Sequence, residues 1–202
     1  MRQRYFFGLQ PPPALVAELA AAIHRFGQQL DRTLGAARQN QTKTASWHHP
    51  QDLHLTLVFL GDLDWPLERV KALAEGVAVE PFALSLGRLD HWRKPQVVVL
   101  EPLASPNALV QLAGNLQQAG LAAGLHLDQR PYRPHLTLAR KAAALDAQSL
   151  DQLPVQSLIW PVSDFCLFVS DWSGPPPHYQ VVARWPLNGA GAGTVPSDGS
   201  VQ

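Results

Sequence analysis

The sequence predicts an α+β fold of two lobes related by a pseudo-twofold axis. The first observation is a tetrapeptide, His-Leu-Thr-Leu, that occurs at 54–57 and again at 135–138. The second is that each half carries a long helical pattern and then a loop ahead of its copy of the motif. The third is that each copy lies in a short apolar run, which is typical of a β-strand. We therefore expect the two motif strands to meet at a groove between the lobes, where binding pockets are common.

Periodicity and turn residues divide the chain into alternating strands and helices. Apolar residues at spacings of three and four predict the first long helix, and the prolines before it suit a first helical turn. A turn is expected around His91 to Pro95, and a break in the strand region 157–169 is expected at Pro161. The predicted elements are a strand over 4–10, a helix over 15–34, a loop over 35–50, the first motif strand over 53–60 ended by Gly61-Asp62, a helix over 66–76, strands over 82–86 and 96–100, a helix over 107–121, the second motif strand over 135–139, a short helix over 147–153, one or more strands over 157–169 and a last strand over 179–185.

Composition fits one domain over 1–187, followed by a disordered tail over 188–202 of glycine, alanine and small polar residues. Lysine plus arginine and aspartate plus glutamate both number 16, so the net charge is zero. This balance argues against a protein that grips long nucleic acids, but it is compatible with a nucleotide or RNA end in a local cleft. Cys166 is the only cysteine, and its apolar neighbours predict a small buried side chain. No targeting or membrane segment is apparent, so the cytoplasm is the expected location. A monomer is also expected.

The two motifs suit acid–base chemistry on a phosphate. Because side chains alternate across a strand, His54 and Thr56 share one face, as do His135 and Thr137. An imidazole titrates near neutral pH, and a threonine hydroxyl can donate a hydrogen bond to an oxyanion. A short apolar tetrapeptide also recurs by chance, and a strand histidine is often structural. Two copies half a chain apart favour a site that has an acid and a base on opposite sides of one reacting centre.

Four segments carry a resemblance to a known family. They are RYFFGL at 4–9 with the prolines after it, LHLTLVFLG at 53–61, RPYRPHLTLAR at 130–140 and the stretch 179–187. In these segments the chain resembles the 2H phosphoesterase superfamily, and within it the RNA 2′,3′-cyclic phosphodiesterases of bacteria and archaea, also called 2′-5′ RNA ligases. The resemblance implies a bilobal fold with two antiparallel sheets facing a central cleft, and neither a metal nor another cofactor.

The resemblance also implies a role for each motif residue. His54 and His135 would be the catalytic pair, Thr56 and Thr137 would hold the phosphate oxygens, and Arg140 would lie near the phosphate. The implied substrate is RNA with a 2′,3′-cyclic phosphate end, or a cyclic nucleotide, which is opened to a 2′-phosphate; the reverse reaction would make a 2′-5′ linkage. We prefer His54 as acid and His135 as base, but the motifs are too alike for the sequence to decide.

Arg140 reaches the phosphate only under a structural condition. Strict alternation from His135 puts Ala139 on the site face and Arg140 on the other. The arginine therefore faces the site only if the strand twists, bulges or ends by Ala139. Otherwise it is a solvated residue that opens the next loop.

The remaining candidates leave alternatives open. Arg130 and Arg133 flank Tyr132, which indicates either RNA contacts with an aromatic platform for a base or surface charges around a core tyrosine. His48 and His49 could join His54 as zinc ligands, although no further ligand spacing supports a metal. Two other functions stay open: a phosphodiesterase for another small substrate, such as ADP-ribose cyclic phosphate or 2′-5′ oligoadenylate, and a module that binds RNA ends without turnover.

Overall fold

The computed structural model describes residues 2–35, 45–142 and 156–188, which contain nine strands and three α-helices. The strands are β1 (Gln3–Leu9), β2 (Ser46–Trp47), β3 (Leu55–Leu63), β4 (Phe82–Trp92), β5 (Val97–Pro102), β6 (Leu136–Arg140), β7 (Leu158–Val162), β8 (Asp164–Ser170) and β9 (Tyr179–Pro186). The helices are α1 (Pro13–Gly35), α2 (Leu67–Lys71) and α3 (Asn107–Ala122), with short 3-10 turns at Pro50–Asp52 and Ala72–Ala74. The predicted α+β class is confirmed. No helix among the described residues has the length and apolar character needed to cross a bilayer.

The described strands form one antiparallel sheet in the order β7-β4-β5-β6-β3-β1-β8-β9, with β2 beside β6. The order is symmetric about its centre: the second lobe (β6, β5, β4, β7) matches the first lobe (β3, β1, β8, β9) strand for strand. The two lobes meet where Leu55 pairs with Leu136, the second residue of each motif. The strand order therefore has the predicted pseudo-twofold relation, centred between the motif strands. The resemblance implied two sheets, and this pairing joins them into one.

Each long helix crosses to the lobe opposite its preceding strand. Helix α1 follows β1 of the first lobe, but its buried Leu19 and Phe26 lie beside Leu100 and Leu138 of the second lobe. Helix α3 follows β5 of the second lobe and packs against β3 of the first. Buried residues of both lobes consequently belong to one continuous core, which holds the two motif strands in a fixed relation.

Both motif strands contain a β-bulge at the same motif position. Thr56 and Val58 lie opposite consecutive residues of β1, so Leu57 is the extra residue in β3. Thr137 and Ala139 likewise lie opposite consecutive residues of β5. Leu138, the equivalent of Leu57, is therefore extra in β6. A bulge of this kind interrupts the strict alternation of side chains.

The bulges explain why two consecutive residues are buried in each motif strand. Over 55–59 and over 136–140 the burial pattern is the same: buried, half-buried, buried, buried, exposed. The residue five positions after each histidine is therefore exposed, and these residues are Phe59 and Arg140. The condition that the sequence set for Arg140 is met by the bulge at Leu138.

Several predicted boundaries differ from the structure. Gly61-Asp62 does not end the first motif strand, because Gly61 adopts a φ of 84° within a second irregularity and β3 continues to Leu63. The predicted turn at His91 is wrong: β4 extends through His91 to Trp92, and the turn covers only 93–96. In the helix predicted over 66–76, only α2 is α-helical, and a 3-10 turn follows it.

The break predicted at Pro161 is also misplaced. Pro161 lies inside β7, at the edge of the sheet, where a residue without an N–H is tolerated. The chain leaves the ladder two residues later, at Ser163, before β8 begins. The short helix predicted over 147–153 and the tail from 189 onward lie outside the described residues.

Candidate active site

His54 lies directly before β3, and three aromatic rings contact its imidazole. Its ring centroid is 4.6 Å from that of Phe6, 4.6 Å from that of Tyr179 and 5.7 Å from that of Phe168. Its Nδ1–H donates to the carbonyl oxygen of Asp52 at 2.7 Å. Because a carbonyl only accepts, this bond fixes the neutral tautomer and leaves Nε2 as an acceptor.

His135 is held in the same way before β6. Its Nδ1–H donates to the carbonyl oxygen of Arg133 at 2.8 Å, again two residues back along the chain. The indole of Trp92 lies 4.3 Å from the imidazole, centroid to centroid. Each half of the molecule therefore presents an imidazole whose Nε2 is available to take up a proton.

A buried carboxylate supports each histidine. Asp52 and Glu101 are the two buried charged residues among those described, at 3% and 1% exposure. The Asp52 carboxylate accepts from the backbone N–H groups of His178 and Tyr179, at 2.6 and 3.2 Å, which ties the start of β9 to the turn below His54. Glu101 forms an ion pair at 2.7 Å with Arg133, whose carbonyl holds His135.

Two cavities adjoin along β3. The His54 cavity, of about 520 Å³, is lined by His54, Thr56, Phe59, Arg140 and the rest of a wall from β1, β8 and the loop after β8. The His135 cavity, of about 910 Å³, lies between His135, the same Thr56 and Phe59, and one face of α3. Because Thr56 and Phe59 line both, the two cavities form one cleft with a histidine on each side.

Arg140 projects into the His54 cavity. Its Nε–H donates to Nε2 of His48 at 3.1 Å, and its guanidinium also hydrogen-bonds the side chain of Tyr179, so these two side chains hold it in place. Its positive charge also acts on both His54 and His135. Arg140 therefore provides a positive charge close to both imidazoles.

Burial makes the histidines of the cleft weakly basic. Burial lowers the pKa of His54 to about 4, and the positive charge of Arg140 acts in the same direction. The pKa of His48 is lowered to about 4 by burial and then by Arg140. Burial also lowers the pKa of His135, against the opposing effects of the Arg133 carbonyl and the Glu101 carboxylate. Neutral imidazoles suit a general base, and a phosphate anion in the cleft would favour protonation of the other histidine.

The two threonines take unequal positions. Thr56 is half-buried where the two cavities join. Gly8 faces it on β1, where a Cβ atom would lie 2.9 Å from the Leu55 carbonyl oxygen, so glycine permits the close approach of the two strands. Thr137 is half-buried on β6 opposite Val99.

The residues before the second motif have structural contacts. The hydroxyl of Tyr132 donates to the Thr56 carbonyl at 3.1 Å, burial raises its pKa, and its ring packs against the core. This favours the core-tyrosine interpretation over a base platform. Arg133 is paired with Asp90 and Glu101, whereas the exposed Arg130 pairs with a neighbouring aspartate at the margin of the His135 cavity.

No three or more histidine, cysteine, aspartate or glutamate side chains of the described segments are grouped so as to hold a metal ion. His48 instead accepts a hydrogen bond from Arg140, and His49 accepts one from the backbone N–H of Gln51 at 3.3 Å. Cys166 is buried as expected, and burial raises the pKa of its thiol to about 12.

Sequence reasoning missed four residues of the site: Asp52, Phe59, Trp172 and Tyr179. Asp52 lies two residues before His54, and an acid close to a predicted active-site strand was the available signal. Phe59 occupies the position that Arg140 has in the second motif. Trp172 lies in the loop after β8 and Tyr179 is the first residue of β9, and no local pattern connects either of them to the cleft.

The chain is similar to known proteins both in sequence and in structure. The family model described as the 2′-5′ RNA ligase superfamily matches residues 11–173. A Geobacillus stearothermophilus protein named RNA 2′,3′-cyclic phosphodiesterase is 30% identical over 200 residues, which cover 94% of this chain and 59% of that protein. A Bacillus subtilis protein of the same name is 41% identical over 103 residues, covering 47% and 55%. The chain thus spans less than two thirds of either relative. The structure of E. coli LigT complexed with NADP+ matches with a TM-score of 0.71 and 28% identity, over 93% of this chain and 98% of that one.

Proposed function

Because this chain belongs to the 2′-5′ RNA ligase superfamily, we propose that it hydrolyses the 2′,3′-cyclic phosphate of RNA ends or nucleotides to a 2′-phosphomonoester. One observation carries the proposal. Two imidazoles, each with its tautomer fixed by the carbonyl two residues back, flank a cleft that contains Thr56 and Arg140. Such a pair can remove a proton on one side of a phosphorus atom and deliver one on the other.

The reaction needs one neutral and one protonated histidine. The neutral imidazole takes a proton from water through Nε2 while the water oxygen bonds to phosphorus. The bond between phosphorus and the ribose 3′ oxygen breaks, and the imidazolium protonates the departing oxygen. Turnover should therefore follow a bell-shaped pH profile, with pKa values that belong to the coupled pair. When a 5′-hydroxyl takes the place of water, its oxygen bonds to phosphorus as the bond to the ribose 3′ oxygen breaks, and a 2′-5′ linkage forms.

Arg140 and the two threonines would bind the phosphate. The positive charge of the Arg140 guanidinium would stabilise the negative charge of the phosphoryl oxygens. The hydrogen bond from Arg140 to His48 orients the guanidinium before substrate arrives. Thr56 and Thr137 would donate their hydroxyl protons to the non-bridging oxygens, one from each motif.

The test uses an oligonucleotide that ends in a 2′,3′-cyclic phosphate, with mapping of the product phosphate. We expect a 2′-phosphate from the wild type and a loss of roughly 10²–10⁴-fold in each of His54→Ala and His135→Ala. His24→Ala, on the exposed face of α1, is the matched control. A folded single variant with near-normal turnover would refute the two-histidine mechanism, and binding without any turnover by the wild type would identify an RNA-end binding module.

A second substrate separates the acid from the base. With sulfur in place of the 3′ oxygen, the leaving group needs little protonation, so the variant that lacks the acid should regain activity. Rescue of His54→Ala alone would support the preferred assignment, and rescue of His135→Ala alone would reverse it.

A further inference from the structure

Trp172 is a large apolar side chain that is exposed inside the cleft. It lies in the loop between β8 and β9, its side chain is 56% exposed, and it lines the His54 cavity together with His54 and Arg140. An exposed indole forgoes the favourable burial that apolar surface gains in a core. Such a residue at the wall of a cleft is typical of a binding surface for a flat apolar ligand.

The indole is held in place from behind. Its ring stacks on the imidazole of His178, with centroids 4.0 Å apart and planes inclined by 20°. Tyr179 supports it edge-on at 5.9 Å. The backbone N–H groups of these two residues donate to the buried Asp52 carboxylate, so the platform is anchored to the turn that also holds His54.

The loop that carries Trp172 is closed by its own hydrogen bonds. The Asp171 N–H donates to the His178 carbonyl at 2.8 Å. The Asp171 carboxylate accepts from the N–H and the hydroxyl of Ser173, at 2.9 and 2.6 Å. Trp172 lies inside this closed loop. The loop would therefore lose little conformational entropy when a ligand stacks on the indole.

Two other aromatic rings of the cleft, Phe6 and Trp92, are already covered. Phe6 stacks on Phe168 at 4.8 Å, inside a small core cluster. The Arg133 guanidinium lies 4.5 Å from the centre of the Trp92 ring, whose other neighbour is His135. Phe59 is exposed to a similar extent as Trp172, at 52%, but it lines both cavities and has the Arg4 guanidinium 5.9 Å from its ring centre.

We propose that Trp172, supported by His178, is the stacking platform for the base of the nucleotide that carries the cyclic phosphate. This proposal rests on the proposed function. Arg140 holds the phosphate in the same cavity, so base and phosphate of one nucleotide lie against opposite parts of its wall. A stacking surface accepts every base, with purines favoured by their larger ring area.

The test compares two substrates in each protein. One is adenosine 2′,3′-cyclic phosphate, and the other is methyl riboside 2,3-cyclic phosphate, which has the same reacting group without a base. In Trp172→Ala the ratio of kcat/KM between them should fall about tenfold, within the range measured for base–aromatic stacking. Trp172→Phe should keep most of the ratio, and Ile159→Ala, an exposed apolar residue on β7, should keep all of it.

The outcomes separate this proposal from the function on which it rests. A wild type that opens neither substrate overturns both. A wild type that opens both, with a ratio unchanged in Trp172→Ala, overturns the stacking platform and leaves the phosphodiesterase. An equal loss on both substrates would mean that the indole supports His54 rather than the base, and this also refutes the platform. A loss confined to the base-bearing substrate supports it.

Discussion

Replacing Arg140 tests whether its positive charge contributes to the reaction and whether His48 orients it. The guanidinium lies in the His54 cavity, with Nε committed to His48 at 3.1 Å. A unit charge about 4 Å from a phosphate oxygen, at an effective dielectric constant near 20, contributes about 4 kcal/mol. Loss of one preorganised donor in other enzymes costs roughly 10²–10³-fold in kcat, which is the same order. We therefore expect Arg140→Ala to lose about 10²–10³-fold in kcat/KM.

The lysine variant separates charge from geometry. Lysine keeps the charge but has no Nε–H to donate to His48, and it lacks the planar fork of the guanidinium. Arg140→Lys should therefore recover part, but not all, of the activity. In the wild-type background, His48→Ala should lower kcat/KM, because the guanidinium loses the partner that fixes its direction. In the Arg140→Lys background the same substitution should have little further effect on kcat/KM.

The assay is steady-state hydrolysis of a cyclic nucleotide by the wild type, the three single variants and the double variant that combines His48→Ala with Arg140→Lys. The coupling energy of this cycle isolates the contact between His48 and Arg140. Two results would refute the reasoning: equal activity of wild type, Arg140→Ala and Arg140→Lys, which would remove Arg140 from the reaction, or strictly additive losses in the double variant, which would separate His48 from it.

Three further predictions follow from the same site and chain. Activity should persist in excess chelator, because the proposed acid and base are both imidazoles; activity lost in chelator and restored by zinc would instead promote His48 and His49 as ligands. A chain that ends at Asn188 should match the full chain in Tm and kcat/KM, because the segment it lacks has no apolar anchor, and a lower value of either would mean that this segment docks. Burial lowers the pKa of His54 to about 4 from 6.5, so the unfolded state takes up the proton first as the pH falls. The free energy of unfolding, measured by urea denaturation, should therefore fall as the pH drops from about 6.5 to 4. An equally steep fall in His54→Gln would contradict this origin.

Sequence patterns predicted the elements better than their ends. The strands and long helices follow from hydrophobic periodicity, because burial of one face decides their existence. Their boundaries depend on tertiary pairing: β4 reaches Trp92 because β5 pairs with it along that length, and β3 passes Gly61 because β1 continues beside it. Neither extension leaves a local trace in the sequence.

The contacts that shape the site are mostly long-range. Arg140 and His48 are separated by 92 positions, and Asp52 and His178 by 126. The sequence identified both motifs because repetition is visible along the chain. It could not identify the side chains that orient them, since those contacts exist only after the strands have paired.

The duplicated backbone and the unequal side chains contribute different things to the cleft. In each half a carbonyl two residues back fixes the imidazole, and a bulge exposes the residue five positions after it. Duplication thus supplies two equivalent histidines, whereas acid–base catalysis needs one protonated and one neutral. The difference must come from the neighbours: Arg140 in one half corresponds to Phe59 in the other, and the carboxylate that acts on His54 is Asp52 whereas the one that acts on His135 is Glu101. The backbone repeat therefore builds the pair, and the residues around it decide which member holds the proton.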